Sequence, residues 1–146
     1  MTMVNTNPIH ILLVEDNPGD VRLTQEAFKE GNYQITLHVV QDGVEAMQYL
    51  HRDGKYQHAE RPNLVLLDLH LPRKDGLETL AEIKKDPHLR AIPVIMLTTS
   101  KNEEHAYKAY DLQANCYVTK PLEMGQFIDI VKDVMDFWIT HTNLQL

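Results

Sequence analysis

Short apolar runs recur along the chain, each closed by polar or turn-forming residues. They are IHILLV at 9–14, ITLHVV at 35–40, LVLL at 64–67, VIML at 94–97 and CYVT at 116–119. Runs of this length bounded by turn signals suit strands, and the most apolar suit strands buried on both faces. Between them, apolar residues return every three or four positions, the period of a helix with one buried face. A helix is expected from Pro18 to Glu30, with Val21, Ala27 and Phe28 inward and Gly31-Asn32 as its stop. A second opens at Asp42-Gly43 and reaches Arg52, with Val44, Met47, Tyr49 and Leu50. A third spans Gly76 to Asp86, carries Leu77, Leu80 and Ile83, and is stopped by Pro87. The spacing predicts two more, over 102–112 and 124–142. Residues 53–62, DGKYQHAERP, read as a long polar connection.

Strands alternating with helices require a parallel sheet covered on both faces. The expected architecture is an α/β, flavodoxin-like (βα)5 three-layer sandwich. Alternation does not itself give the strand order; for so short a chain, 2-1-3-4-5 is the strongest candidate. The length, 146 residues, suits one domain over 9–142, between a disordered arm at 1–8 and a tail at 143–146. Acidic residues outnumber basic ones by 21 to 14, a net charge of −7. Such a surface repels phosphate backbones, so no nucleic acid is expected as a partner. A lone cysteine, Cys116, rules out an internal disulfide and reads as a small core residue. The N-terminus lacks the basic and apolar regions of a leader, and no apolar run is long enough to span a bilayer. A cytoplasmic protein without a membrane partner is expected.

The candidate chemistry lies where the strands end. Glu15 and Asp16 follow the first strand, Asp68 the third, Thr98 the fourth and Lys120 the fifth. Read alone, Asp68 is an ordinary loop-opening residue, Glu15-Asp16 a solvated turn and Lys120 a surface lysine. In the order 2-1-3-4-5, however, the first and third strands are neighbours at the switch point, and three carboxylates converge on one crevice. At an effective dielectric of ~20 and ~5 Å separation, each pair repels by roughly 3 kcal/mol. Such a site wants a cation, or else some of its carboxylates must take up protons. Its donors are hard oxygens, which favour Mg²⁺, or Mn²⁺, over Zn²⁺.

The set resembles the receiver domain of two-component response regulators. The likeness rests on Glu15-Asp16, Asp68, Pro72 and Gly76 in the loop that follows, Thr98, Tyr117 and Lys120-Pro121. It runs from about residue 9 to 140. The LTTSKNEE and NCYVTKP segments and Asp136-Phe137-Trp138 further resemble the small regulators paired with cyanobacterial phytochromes. The resemblance implies that Asp68 takes a phosphoryl group from a phosphohistidine on a sensor histidine kinase, here a phytochrome. It implies a metal held by Asp16, Asp68 and the His70 backbone carbonyl, with Glu15 orienting a bound water. Lys120 and Thr98 would contact the phosphoryl oxygens, Thr98 and Tyr117 would form the switch, and Lys120-Pro121 would be the family's cis-proline turn. His70 and Ser100, beside the acceptor, are expected to set the phosphoaspartate lifetime. The other seven histidines are read as solvated. The chain is expected to catalyse only its own phosphorylation and slow dephosphorylation.

The last helix is too apolar for one buried face. Phe127, Ile130, Val131, Val134 and Trp138 form one stripe, widened by Ile128, Met135, Ile139 and Phe137. The apolar arc covers roughly 200°, about twice the stripe that packing on a sheet needs. A helix sunk deeper in the core is the simple explanation. The other is a homodimer through the fourth and fifth helices and the fifth strand, with Phe127, Ile128, Met135, Phe137, Trp138 and Ile139 as its surface. Three rival functions remain. An aspartyl-nucleophile phosphatase of the haloacid-dehalogenase type needs a second Asp where this chain has His70. A non-phosphorylated receiver-like binding module usually loses an acidic residue or the lysine. A flavin or nucleotide carrier needs a phosphate-binding loop where this chain has Glu15-Asp16.

Overall fold

The computed structural model describes residues 8–29, 34–98 and 116–119, with Asp129 and Asp133. In chain order come β1 (Ile9–Val14), α1 (Pro18–Lys29), β2 (Ile35–Val40) and α2 (Gly43–Leu50). A short 3-10 turn (Gly54–Tyr56) leads to β3 (Leu64–Leu67), α3 (Gly76–Lys85), β4 (Val94–Thr98) and β5 (Cys116–Thr119). The strands pair in parallel in the order β2-β1-β3-β4-β5, as expected.

Side-chain caps fix where the helices begin. The Asn17 carboxamide oxygen accepts from the Gly19 and Asp20 amides, at 2.8 and 3.2 Å, ahead of α1. Asp42 accepts from the Glu45 amide at 2.8 Å and caps α2, while the Glu45 carboxylate accepts from the Gln41 amide at 2.8 Å. Asp75 caps α3 through the Glu78 amide. Each cap satisfies a backbone donor that the first helical turn leaves open.

The sheet divides the core. On one face Leu12, Val14, Val65, Leu67, Val94 and Met96 pack with Met47, Leu50, Leu80 and Ile83 of α2 and α3. On the other, Ile11, Leu13, Leu64, Leu66 and Ile95 meet Ala27 of α1. β1 and β3 are thus apolar on both sides because both sides are covered. The 53–62 connection is less polar in practice than its composition suggests: Tyr56 and Ala59 pack against the first cluster.

Two histidines correct the expectation that all seven are solvated. His10 and His38 are half-buried and stacked, with ring centroids 5.2 Å apart and Nδ1 of His10 3.0 Å from Nε2 of His38. Tyr49 closes over His38, 5.6 Å away. Burial, and then the neighbouring His10, lower the His38 pKa, and Glu60 only partly opposes them. His51, His58 and His88 are exposed, as expected.

The helices expected over 102–112 and 124–142 lie outside the described residues, except that Asp129 and Asp133 are helical and exposed. Ser100, Lys120, the Lys120-Pro121 bond and the apolar positions from Phe127 to Ile139 also lie outside them, as do the side chains of Thr98 and Tyr117.

Candidate functional site

The register of three strands builds the site. Val14 of β1 pairs with Val40 of β2 and with Leu67 of β3, so these strands end level. The ladders run one residue further: the Glu15 amide donates to Val40 O at 3.0 Å and the Asp68 amide to Val14 O at 3.1 Å. The carboxylates of Glu15, Asp16 and Asp68 therefore leave neighbouring backbones together. One oxygen from each lies within 4.8 Å of the others.

Burial differs among the three. Glu15 is 2% exposed and Asp68 9%, while Asp16 is solvent-exposed. Glu15 Oε2 accepts from the Asn17 amide at 3.2 Å, which ties it to the start of α1. The His70 amide points to Asp68 Oδ1 at 3.4 Å, and the His70 side chain is exposed. Two buried carboxylates and one exposed one, with oxygens at this spacing, suit a hard divalent cation that keeps part of its water shell. Neither sulfur nor imidazole contributes to the cluster, so the donor chemistry fits Mg²⁺ or Mn²⁺.

The loop after Asp68 is pinned at two places. A Cβ on Gly76 would stand 2.2 Å from Asp68 O and 2.7 Å from Leu69 Cα, so only glycine lets α3 start this close to the acceptor strand. The Gly76 amide donates to Leu69 O at 2.9 Å. Further along, the Gly43 amide at the head of α2 donates to Lys74 O at 3.2 Å. A Cβ on Gly43 would meet Thr79 Oγ1 at 2.1 Å and Lys74 O at 2.5 Å. Arg73 reaches from the loop to Asp42, with Nε 2.8 Å from Oδ2 and Nη2 3.0 Å from Oδ1. Beyond Asp42, Tyr56 donates its hydroxyl to Glu45 at 2.6 Å. Burial and this carboxylate push the Tyr56 pKa up to about 12. Burial alone would raise the pKa of Glu45, but hydrogen bonds from Tyr56 and the Gln41 amide, with Lys55 nearby, bring it below its usual value.

Of the site residues expected from sequence, Glu15, Asp16 and Asp68 come together, and His70 stands beside them. The backbone puts Thr98 at the C-terminal end of β4, paired with Thr119 of β5, and Tyr117 opposite Met96. Sequence reasoning missed Asp42 and Arg73. The Asp-Gly pair at 42–43 signals a helix start, but nothing local links it to a residue thirty positions on.

Comparison with known proteins gives one consistent result. The response regulator receiver domain family matches residues 11–132. The chain is 45% identical over 137 residues to the response regulator Rcp1 of Synechocystis, covering 94% of this chain and 93% of that protein. Among solved structures, the phosphorylated cyanobacterial phytochrome response regulator RcpA superposes with a TM-score of 0.88 at 49% identity, covering 92% of this chain and 96% of that one. The Mn²⁺-bound form of Rcp1 superposes at 0.87 with 46% identity, and the coverage is the same.

Proposed function

Because the chain belongs to the response regulator receiver family, we propose that Asp68 is its phosphoacceptor and that the donor is the phosphohistidine of a sensor histidine kinase of the phytochrome type. The observation that carries this reading is the acidic cluster: three carboxylates from two adjacent strand ends, within 4.8 Å of one another. Similarity to Rcp1 and to the phytochrome response regulator RcpA supports the kinase class.

In the reaction, an Asp68 carboxylate oxygen attacks phosphorus in line. The P–N bond to the donor imidazole breaks as the new P–O bond forms, and the imidazole keeps the electron pair and takes up a proton. A bound Mg²⁺, or Mn²⁺, would supply charge neutralisation for the carboxylates and the moving oxygens. Asp16 and Asp68 would hold it with the His70 carbonyl, and Glu15 would orient a water on it. Lys120 neutralises the phosphoryl oxygens from the end of β5, and Thr98 donates its hydroxyl to them. Burial of Glu15 and Asp68 limits competing water and strengthens these interactions.

Phosphorylation then biases two packings of the β4–β5 side through Thr98 and Tyr117. A swing from 1:99 to 99:1 requires about 5.5 kcal/mol of differential interaction, within reach of a few charge-assisted hydrogen bonds. His70 and Ser100 set the lifetime of the phosphoaspartate. The output is a change of protein contacts, including a homodimer through Phe127, Ile128, Met135, Phe137, Trp138 and Ile139, in the cytoplasm and without nucleic acid. Among the described residues no helix is long and apolar enough to cross a membrane.

The test is transfer from a purified phytochrome histidine kinase, radiolabelled on its histidine, to wild type and Asp68→Asn. Label should pass to the wild type only. Label on neither would favour the rival reading, a receiver-like interaction module that is not phosphorylated. Light scattering at tens of micromolar separates dimer from monomer.

A further inference from the structure

The receiver reading uses the strand ends and leaves one device unexplained: the ion pair between Asp42, at the head of α2, and Arg73, in the loop that follows Asp68. Asp42 is 7% exposed, and its carboxylate serves two donors at once. Oδ1 caps α2 through the Glu45 amide at 2.8 Å, while the Arg73 guanidinium spans both oxygens. A two-point contact on a buried carboxylate fixes direction as well as distance, unlike an ordinary surface pair. Arg73 adopts φ 63°, in the left-handed region that favours glycine. Glycine would suit this backbone better, so the guanidinium contact is what arginine adds here. Beside it, the Lys74 carbonyl lies on the Gly43 amide, too close for any side chain at 43.

We propose that Arg73 is a positioning residue for the metal and phosphoryl site. Through Asp42 it holds the 70–75 loop against α2, and so sets where the His70 backbone and the Asp68 carboxylate stand relative to Glu15 and Asp16. The loop is anchored at its far end by Gly76 on Asp68 O and Leu69. Without the Arg73 contact, the stretch between these anchors keeps the Gly43–Lys74 backbone bond and the packing of Leu71 on the cluster that includes Met47 and Leu50, but loses its charged two-point tie to the head of α2. Metal ligands held by a shorter list of contacts lose affinity even when the ligands themselves are intact. The proposal rests on the reading of Asp68 as acceptor only for its kinetic consequence. Its consequence for metal affinity stands apart.

The experiment compares wild type with Arg73→Gly, Arg73→Lys, Asp42→Asn and the Arg73→Gly/Asp42→Asn pair. Arg73→Gly suits the backbone at 73 and removes the contact; Asp42→Asn keeps a capping oxygen and removes the charge. Three quantities are read. They are the Mg²⁺ dissociation constant by calorimetry, amide exchange of residues 68–76 without metal, and the rate of phosphoryl gain from acetyl phosphate at saturating Mg²⁺. Urea midpoints control for folding. In both single variants, Mg²⁺ should bind about tenfold more weakly. Exchange should quicken in this loop alone, and phosphoryl gain should slow. The double variant should be no worse than either single one, and Arg73→Lys should recover part of the loss. Unchanged Mg²⁺ affinity and loop exchange in Arg73→Gly and Asp42→Asn, with only the urea midpoint moving, would overturn the proposal. If the wild type gains no phosphoryl group, the acceptor reading fails, and affinity and exchange still decide the role of Arg73.

Discussion

The two ends of the sheet treat polar groups in opposite ways. At the C-terminal end, three like-charged carboxylates are gathered within 4.8 Å, two of them buried. At the N-terminal end, polar side chains meet complementary partners. His10 stacks on and bonds His38, Tyr49 donates to Glu60 O at 3.2 Å, Arg61 to His88 O at 2.6 Å, and His51 pairs with Asp86 at 2.9 Å. The difference is one of chemistry: one end is built from complementary pairs, while the other gathers like charges at a spacing that suits a divalent cation.

The acidic end depends most on the glycine that lets it close. Gly76→Ala places a methyl 2.2 Å from Asp68 O, a clash with backbone that has no flexible partner. It should lower the urea-derived unfolding free energy by about 3 kcal/mol, and a loss within error of zero would show that the loop is slack. Removing one charge from the cluster should do the reverse. Without metal, Asp16→Asn should raise stability by about 1 kcal/mol, since relief of repulsion at an exposed residue is screened. The same variant should weaken Mg²⁺ binding by on the order of tenfold or more. Calorimetry with and without Mg²⁺ reads both effects, and a destabilised apo-variant would mean that the carboxylates do not strain the fold.

The paired end should instead respond to pH. The His38 pKa lies below the ordinary 6.5 in the folded chain, so below that pH the unfolded chain binds more protons. Stability should therefore fall as pH drops from 6.5 towards the folded value, and level off beneath it. Glu60 opposes the shift, while His10 and burial under Tyr49 reinforce it. His38→Gln should flatten this part of the urea midpoint–pH curve; a slope left unchanged would place the titration elsewhere. A modest effect is expected for Tyr49→Phe, which removes one partly buried hydrogen bond to Glu60 O and should lower stability by about 0.5 to 1 kcal/mol.

What sequence could and could not tell divides along the same line. Leu64–Leu67 and Val94–Leu97 are legible as strands because burial on both faces demands continuous apolar runs. Glu15, Asp16 and Asp68 are legible because in a parallel sheet function collects where strands end. His10 and His38 were not, because their meeting depends on register: His38 pairs with Leu12, two residues along from His10, which pairs with Thr36. Asp42 and Arg73 belong to loops after different strands, and no periodicity connects them. Tyr56 sat in a segment whose composition reads as solvated loop, yet it packs on the core and binds Glu45. Local pattern thus reaches elements and their ends, while contacts between loops need the three-dimensional arrangement.

The proposed role of the acidic end is the phosphorylation of Asp68. Incubation with Mg²⁺ and acetyl phosphate, followed by intact-mass measurement, tests it most directly. The wild type should gain one phosphoryl group, Asp68→Asn should gain none, and the gain should disappear when the metal is chelated. A wild-type protein that stays unmodified, or an Asp68→Asn variant modified to the same extent, would contradict it.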